Sequence, residues 1–132
     1  MKSLSIVFSV LLLVALLAAC HDNPYKQGEL YYTNLCANCH MEDGGGLELL
    51  VPPLAGADFV RDHPEKVACI IRNGMSGKVV VNGIEYEGEM PAVPELTDFE
   101  IVNVINFINK AWGNDYPPVT YEQVKAALEN CE

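Results

Sequence analysis

Apolar side chains recur most regularly near the C-terminal end, where Ile101, Val102, Ile105, Ile108 and Trp112 keep the three- and four-residue spacing of one helical face. Thr97 with Glu100 three residues later forms a capping box, and Gly113 stops the run, so a helix is predicted over 98–112. Leu30, Tyr31 and Leu35 share one side of a second helix over 28–35. A third is capped by Asp62 or His63, takes Pro64 as its first residue, and runs through Val67, Ile70 and Ile71 to Gly74. Thr120 and Gln123 cap a closing helix in which Val124, Ala127, Leu128 and Cys131 lie together. Between these helical stretches, Val79 to Tyr86 places Asn82-Gly83 between β-prone residues, a hairpin signal. Gly44-Gly45-Gly46, Pro52-Pro53 and Pro117-Pro118 mark irregular connections.

The first twenty residues follow a different rule. Lys2 is followed by an apolar run from Leu4 to Leu17, broken only by Ser5 and Ser9, and then by Ala18-Ala19-Cys20. A positive start, an apolar stretch and small residues before a cleavage point describe a secretory signal. Small residues directly before a cysteine resemble the lipobox of bacterial lipoproteins, which implies cleavage before Cys20 and a diacylglyceryl group on its sulfur. An ordinary signal with an incidental cysteine, or an uncleaved anchor, is the alternative. The expected organisation is a signal over 1–19, a lipid-anchored tether over 20–27, one domain over 28–113 and a C-terminal extension over 114–132. The expected location is a bacterial membrane surface facing the periplasm.

Charge narrows the partners. The whole chain has eight Lys/Arg against 18 Asp/Glu, and residues 1–19 contain one of those cations and none of the acids, so their removal takes the formal charge from −10 to −11. Such a surface repels nucleic acid and anionic lipid; it either favours a redox partner with a basic docking patch or, since the acids are scattered along the chain, only keeps the protein soluble.

Cysteine and histidine carry the chemistry. Cys36-Ala37-Asn38-Cys39-His40 is the c-type haem attachment signature, two thiols for the two vinyl groups and a histidine for the iron. Zinc would need a second ligand pair, and Cys69 and Cys131 are lone and far apart in sequence. A thioredoxin-like redox pair would need a βαβ pattern, which the periodicity does not provide. The sixth iron ligand has two candidates, Met90 and Met75. Met41 adjoins His40, and Met1 goes with the signal; His21 and His63 read as surface residues.

Gly28 eight residues before Cys36, Tyr32, the Cys-Ala-Asn-Cys-His core, Pro52-Pro53-Leu54, Met90-Pro91 and the long helix after them resemble the class I cytochrome c family over roughly residues 25 to 113. The resemblance implies an all-α fold of about four to five helices around one covalently bound haem c. A small β-hairpin would lie in the loop leading to the distal ligand, and an extra C-terminal helix would follow the domain. It implies thioethers at Cys36 and Cys39, axial ligation by His40 and Met90, and a Pro52 carbonyl on the second ring nitrogen of His40. It implies contact of Gly28 and Tyr32 with Val104 and Phe107, and electron exit at the haem edge near Cys36 and Cys39. The hairpin either shields a haem edge or is a plain connection. Cys69 and Cys131 either form a disulfide that clips the extension to the domain or stay as thiols.

The expected function is electron transfer by a non-enzymatic monohaem carrier, between respiratory or dehydrogenase partners and without a small-molecule substrate. A haem sensor or small peroxidase with an openable sixth position is the alternative.

Overall fold

Two helices cross at the centre of the molecule because one carries a glycine at the crossing. In the computed structural model, which describes residues 23–131, α1 (Lys26–Leu35) packs against α5 (Asp98–Lys110). A Cβ at Gly28 would overlap the Asn103 carbonyl oxygen and stand 2.7 Å from the Phe107 Cβ, so only glycine permits this approach. Beside it Tyr32 is buried, its ring 5.4 Å from Phe107 and 4.9 Å from Trp112.

Six helices and one two-stranded sheet are present among the described residues, more helices than the pattern predicts. The additional ones are single turns, α2 (Ala37–His40) and α3 (Asp58–Asp62), too short to show a period. The others, α4 (Pro64–Asn73), α5 and α6 (Tyr121–Leu128), fall close to the predicted spans. Both capping boxes form, Thr97 with Glu100 and Thr120 with Gln123. His63 occupies the N-cap of α4 without a side-chain bond, leaving the start to Pro64 at N1.

Two boundaries differ from expectation. α1 begins at Lys26, inside the span expected as tether, because Asn23 starts the turn before it: its Oδ1 accepts from Tyr25 N and its carbonyl from Lys26 N. Residues 1–22, including the expected signal and Cys20, lie outside the described residues. α5 ends at Lys110, so Trp112 is not on the helix. It takes φ 52°, folds back onto Tyr32 and Phe107, and donates its indole N–H to the Glu42 carbonyl at 2.9 Å.

The hairpin is longer than predicted. β1 (Met75–Val81) pairs with β2 (Ile84–Met90) from Val81↔Ile84 down to Met75↔Met90. Asn82 (φ 52°) and Gly83 (φ 77°) form the two-residue turn with both φ values positive, the type that matches strand twist. Asn82 also pins the turn to α3: its Oδ1 accepts from Asp58 N, and its own N–H donates to Asp58 Oδ1.

The extension packs back on the domain. Asn106 donates to the Val119 carbonyl and accepts from Val119 N, and Asn109 donates to the Pro117 carbonyl. Cys69 on α4 is bonded to Cys131, just beyond α6. Among the described residues, no helix is long and apolar enough to cross a membrane.

Candidate haem site

A single helical turn explains the spacing of the motif. Counted from Cys36, the N-cap of α2, positions 36, 39 and 40 stand at i, i+3 and i+4, so both thiols and the imidazole emerge on one side. The turn is closed by Cys39 N and His40 N, which donate to the Cys36 carbonyl at 3.1 and 2.9 Å. Cys36 N in turn donates to the Tyr32 carbonyl at 2.8 Å, so α1 delivers the motif directly. Tyr32 secures the far end: its hydroxyl donates to the Met41 carbonyl at 2.6 Å, where Met41 adopts φ 63°.

His40 is buried, and its Nδ1 lies 3.1 Å from the Pro52 carbonyl oxygen. A carbonyl can only accept, so Nδ1 carries the proton and Nε2 keeps a lone pair. Burial lowers the imidazole pKa, and the Pro52 carbonyl partly opposes it. The ring is therefore neutral near pH 7, the form that ligates metal. Burial, with Cys39 nearby, pushes the Cys36 thiol up to about 11.

Cys36, Cys39 and His40 open onto one shared cavity. Its walls are apolar: Val60 of α3, Val67 and Ile71 of α4, and Val104 and Ile108 of α5. The hairpin closes it through the inner face of each strand, Met75, Gly77, Val79 and Val81 on β1 and Tyr86, Gly88 and Met90 on β2. This alternation follows from the two-residue period of a strand. Both candidate methionines thus reach the cavity, whereas Met41 and His63 do not line it. Two free thiols, a neutral imidazole with one nitrogen free, thioethers and walls that are apolar apart from Glu89 are the donor set of a covalently held haem. Among the described residues, no group of three or more His, Cys, Asp or Glu side chains converges into a metal cage.

The mouth has its own character. The loop 47–51 is closed by a Leu47↔Val51 bridge; Leu49 takes φ 57°, and Leu49 and Leu50 are 68% and 69% exposed. Leu50 lines the cavity, and its carbonyl abuts β2 at Gly88. On β2, Glu85, Glu87 and Glu89 are exposed, Glu89 also bordering the cavity, and Lys78 pairs with Glu85 at 2.7 Å.

One buried group supporting the site escapes sequence reasoning. Asn114 donates to the Leu54 and Ile108 carbonyls and accepts from Gly56 N, so it ties the Pro52-Pro53-Leu54 segment to the end of α5. An asparagine after Gly113 carries no pattern that marks it as buried; only the fold brings it there.

Known proteins are similar to this chain in sequence. The chain is 35% identical over 99 residues to cytochrome c-552 of Thermus thermophilus, covering 68% of this chain and 76% of that one. It is 37% identical over 92 residues to the cytochrome c subunit of a quinone alcohol dehydrogenase from Gluconobacter oxydans, covering 68% of this chain and 19% of the subunit. The cytochrome c subunit of gluconate 2-dehydrogenase from Pantoea cypripedii is 32% identical over 92 residues, with 67% and 21% covered. With residues 25–112 also matching the family model named Cytochrome c, the chain belongs to the cytochrome c family, as an electron carrier with one covalently attached haem c.

Proposed function

We propose that the protein is a lipid-tethered electron shuttle on the periplasmic side of a bacterial membrane, with His40 and Met90 as the axial ligands of its haem iron. One observation carries the ligand reading: the buried His40 ring, held at Nδ1 by Pro52, and the Met90 side chain line the same apolar cavity as the two thiols. When bound, the haem supplies a one-electron Fe(III)/Fe(II) couple. Cys36 and Cys39 hold it as thioethers. The Pro52 carbonyl keeps His40 oriented and increases its basicity. A thioether from Met90 favours reduced iron more than a second imidazole would, and so raises the potential. The hairpin wall and the valines and isoleucines opposite exclude water, so the charge on the site changes with little rearrangement around it.

The partner reading rests on charge. Exposed acidic side chains on β2 beside an exposed Leu49-Leu50 pair suit a redox protein with an apolar patch ringed by cations. The two relatives that are dehydrogenase subunits support a dehydrogenase as one electron source. The tether reading rests on Lys2, the apolar run and Ala18-Ala19-Cys20.

A spectrum of the protein from its native membrane, oxidised and reduced, tests the core of this. Low-spin ferric haem with the far-red thioether-to-iron charge-transfer band is expected, along with a mass increment for lipid on Cys20. A high-spin ferric spectrum without that band would replace the shuttle by the sensor or peroxidase reading.

A further inference from the structure

We propose that Met75 is a reserve thioether for the same iron position, taking it when the Met90 sulfur leaves. The inference rests on the His40/Met90 reading above. Its basis is the register of the hairpin: Met75 and Met90 are direct cross-strand partners at its base, both half-buried and both on the face that lines the cavity. Side chains paired this way start about 5 Å apart at Cβ, a gap that the three rotatable bonds of methionine span easily.

The backbone beneath the pair is fixed, so an exchange belongs to the side chains alone. Gly74, at φ 74°, lies so near the neighbouring chain that a Cβ there would stand 2.6 Å from the Met90 carbonyl oxygen. Past Pro91, Val93 N donates to the Ile71 carbonyl at 2.9 Å, tying the end of β2 to α4. A displaced side chain also has somewhere to go. A second hollow, floored by Asn73, Gly74, Ser76 and Glu89, is bordered by both methionines, so each stands between the haem cavity and this outer space. Among the described residues, no lysine and no histidine besides His40 lines the cavity; the donors beside Met90 are the Met75 thioether and the Glu89 carboxylate, and of these only Met75 matches Met90 in ligand type. The exchange breaks one sulfur–iron bond and forms another of the same kind, with no electron or proton transferred. The site would thus keep its ligand type, and with it a raised potential, through loss or oxidation of one methionine.

The test uses holoprotein with attached haem in four forms: wild type, Met75→Ala, Met90→Leu and the double variant. Leucine is chosen at position 90 to preserve volume and folding, and far-ultraviolet circular dichroism checks the fold. Wild type and Met75→Ala should show the same charge-transfer band. Met90→Leu should retain most of it, and in the ferrous protein one methyl-labelled methionine should still give a strongly ring-shifted resonance. The double variant should lose both signals and turn high-spin. A folded Met90→Leu protein that is high-spin and matches the double variant overturns the reserve role. So does loss of the band in Met75→Ala alone, which would make Met75 the resident ligand. Absence of the band in wild type is a separate result, and it defeats the underlying His40/Met90 reading before any variant is compared.

Discussion

At Gly28 the absence of one methyl group decides the packing, and at Asn114 one side-chain amide does. Helix propensity alone favours alanine over glycine in α1 by about 1 kcal/mol. The crossing opposes it, because the added methyl overlaps the Asn103 carbonyl oxygen, and overpacking a rigid backbone contact costs about 3 kcal/mol. The clash wins, so Gly28→Ala should destabilise the holoprotein by about 2 kcal/mol in urea denaturation; an unchanged or higher midpoint would show that α1 and α5 separate freely. Asn114→Ala removes three hydrogen bonds and strands the Leu54 and Ile108 carbonyls and Gly56 N, with an expected loss of about 3 kcal/mol. If the two effects are read in one titration, they should add, since the sites share no partner among these bonds. Legibility differed sharply between such residues. Cys36, Cys39 and His40 are readable because their chemistry is local, three side chains on one helical turn. Asn114 is not, because its partners stand about 60 and six residues away along the chain and are backbone atoms of no particular type.

Among elements, α4, α5 and α6 are legible because each joins an apolar period to a start signal, Pro64, Thr97 or Thr120, whereas α1 has an apolar side but no capping side chain to mark its start. The single turns α2 and α3 lack a period. The hairpin is legible only over Val79 to Tyr86, around its Asn82-Gly83 turn, because its lower half, with Ser76, Gly77, Glu87 and Gly88, has little β propensity. That half is held by pairing and by what it covers, and the Met75↔Met90 register could not be read without it. The extension is joined to α4 in two ways: by packing of Val124, Ala127 and Leu128, and by the Cys69–Cys131 bond across 62 residues. Closing a loop of that size in the unfolded chain is worth about 4 kcal/mol in the chain-entropy account. Cys131→Ser should therefore lower stability by about 2–4 kcal/mol, while leaving the visible spectrum of the haem intact because neither sulfur lines that cavity. Intact mass with and without reductant gives an independent check, and no two-dalton shift on reduction would exclude the bond.

For the whole molecule, the governing quantity is a formal charge of −10 spread over a small surface, with Glu85, Glu87 and Glu89 concentrated over the wall of the cavity. Long-range attraction scales with net charge only while salt is dilute; the screening length falls from about 30 Å at 0.01 M to about 3 Å at 1 M. At high salt, an approaching reagent feels just the side chains beside its point of contact. Two small oxidants of opposite charge separate these regimes, ferricyanide as the anion and a tris-phenanthroline cobalt(III) complex as the cation. Oxidation of the ferrous protein by the cation should slow as salt is added, and oxidation by the anion should accelerate, each by roughly tenfold across that range. Glu85→Gln, Glu87→Gln and Glu89→Gln together should flatten the salt dependence for the cation if electrons leave beside the hairpin. They should leave it nearly unchanged if electrons leave by the edge near Cys36 and Cys39 on a side those glutamates do not reach. Stopped-flow rates for the wild type and the triple variant decide between the two exits. Equal responses of both oxidants to salt would show that the acidic surface does not act at the point of electron transfer, and the expectation of a basic redox partner would lose its electrostatic ground.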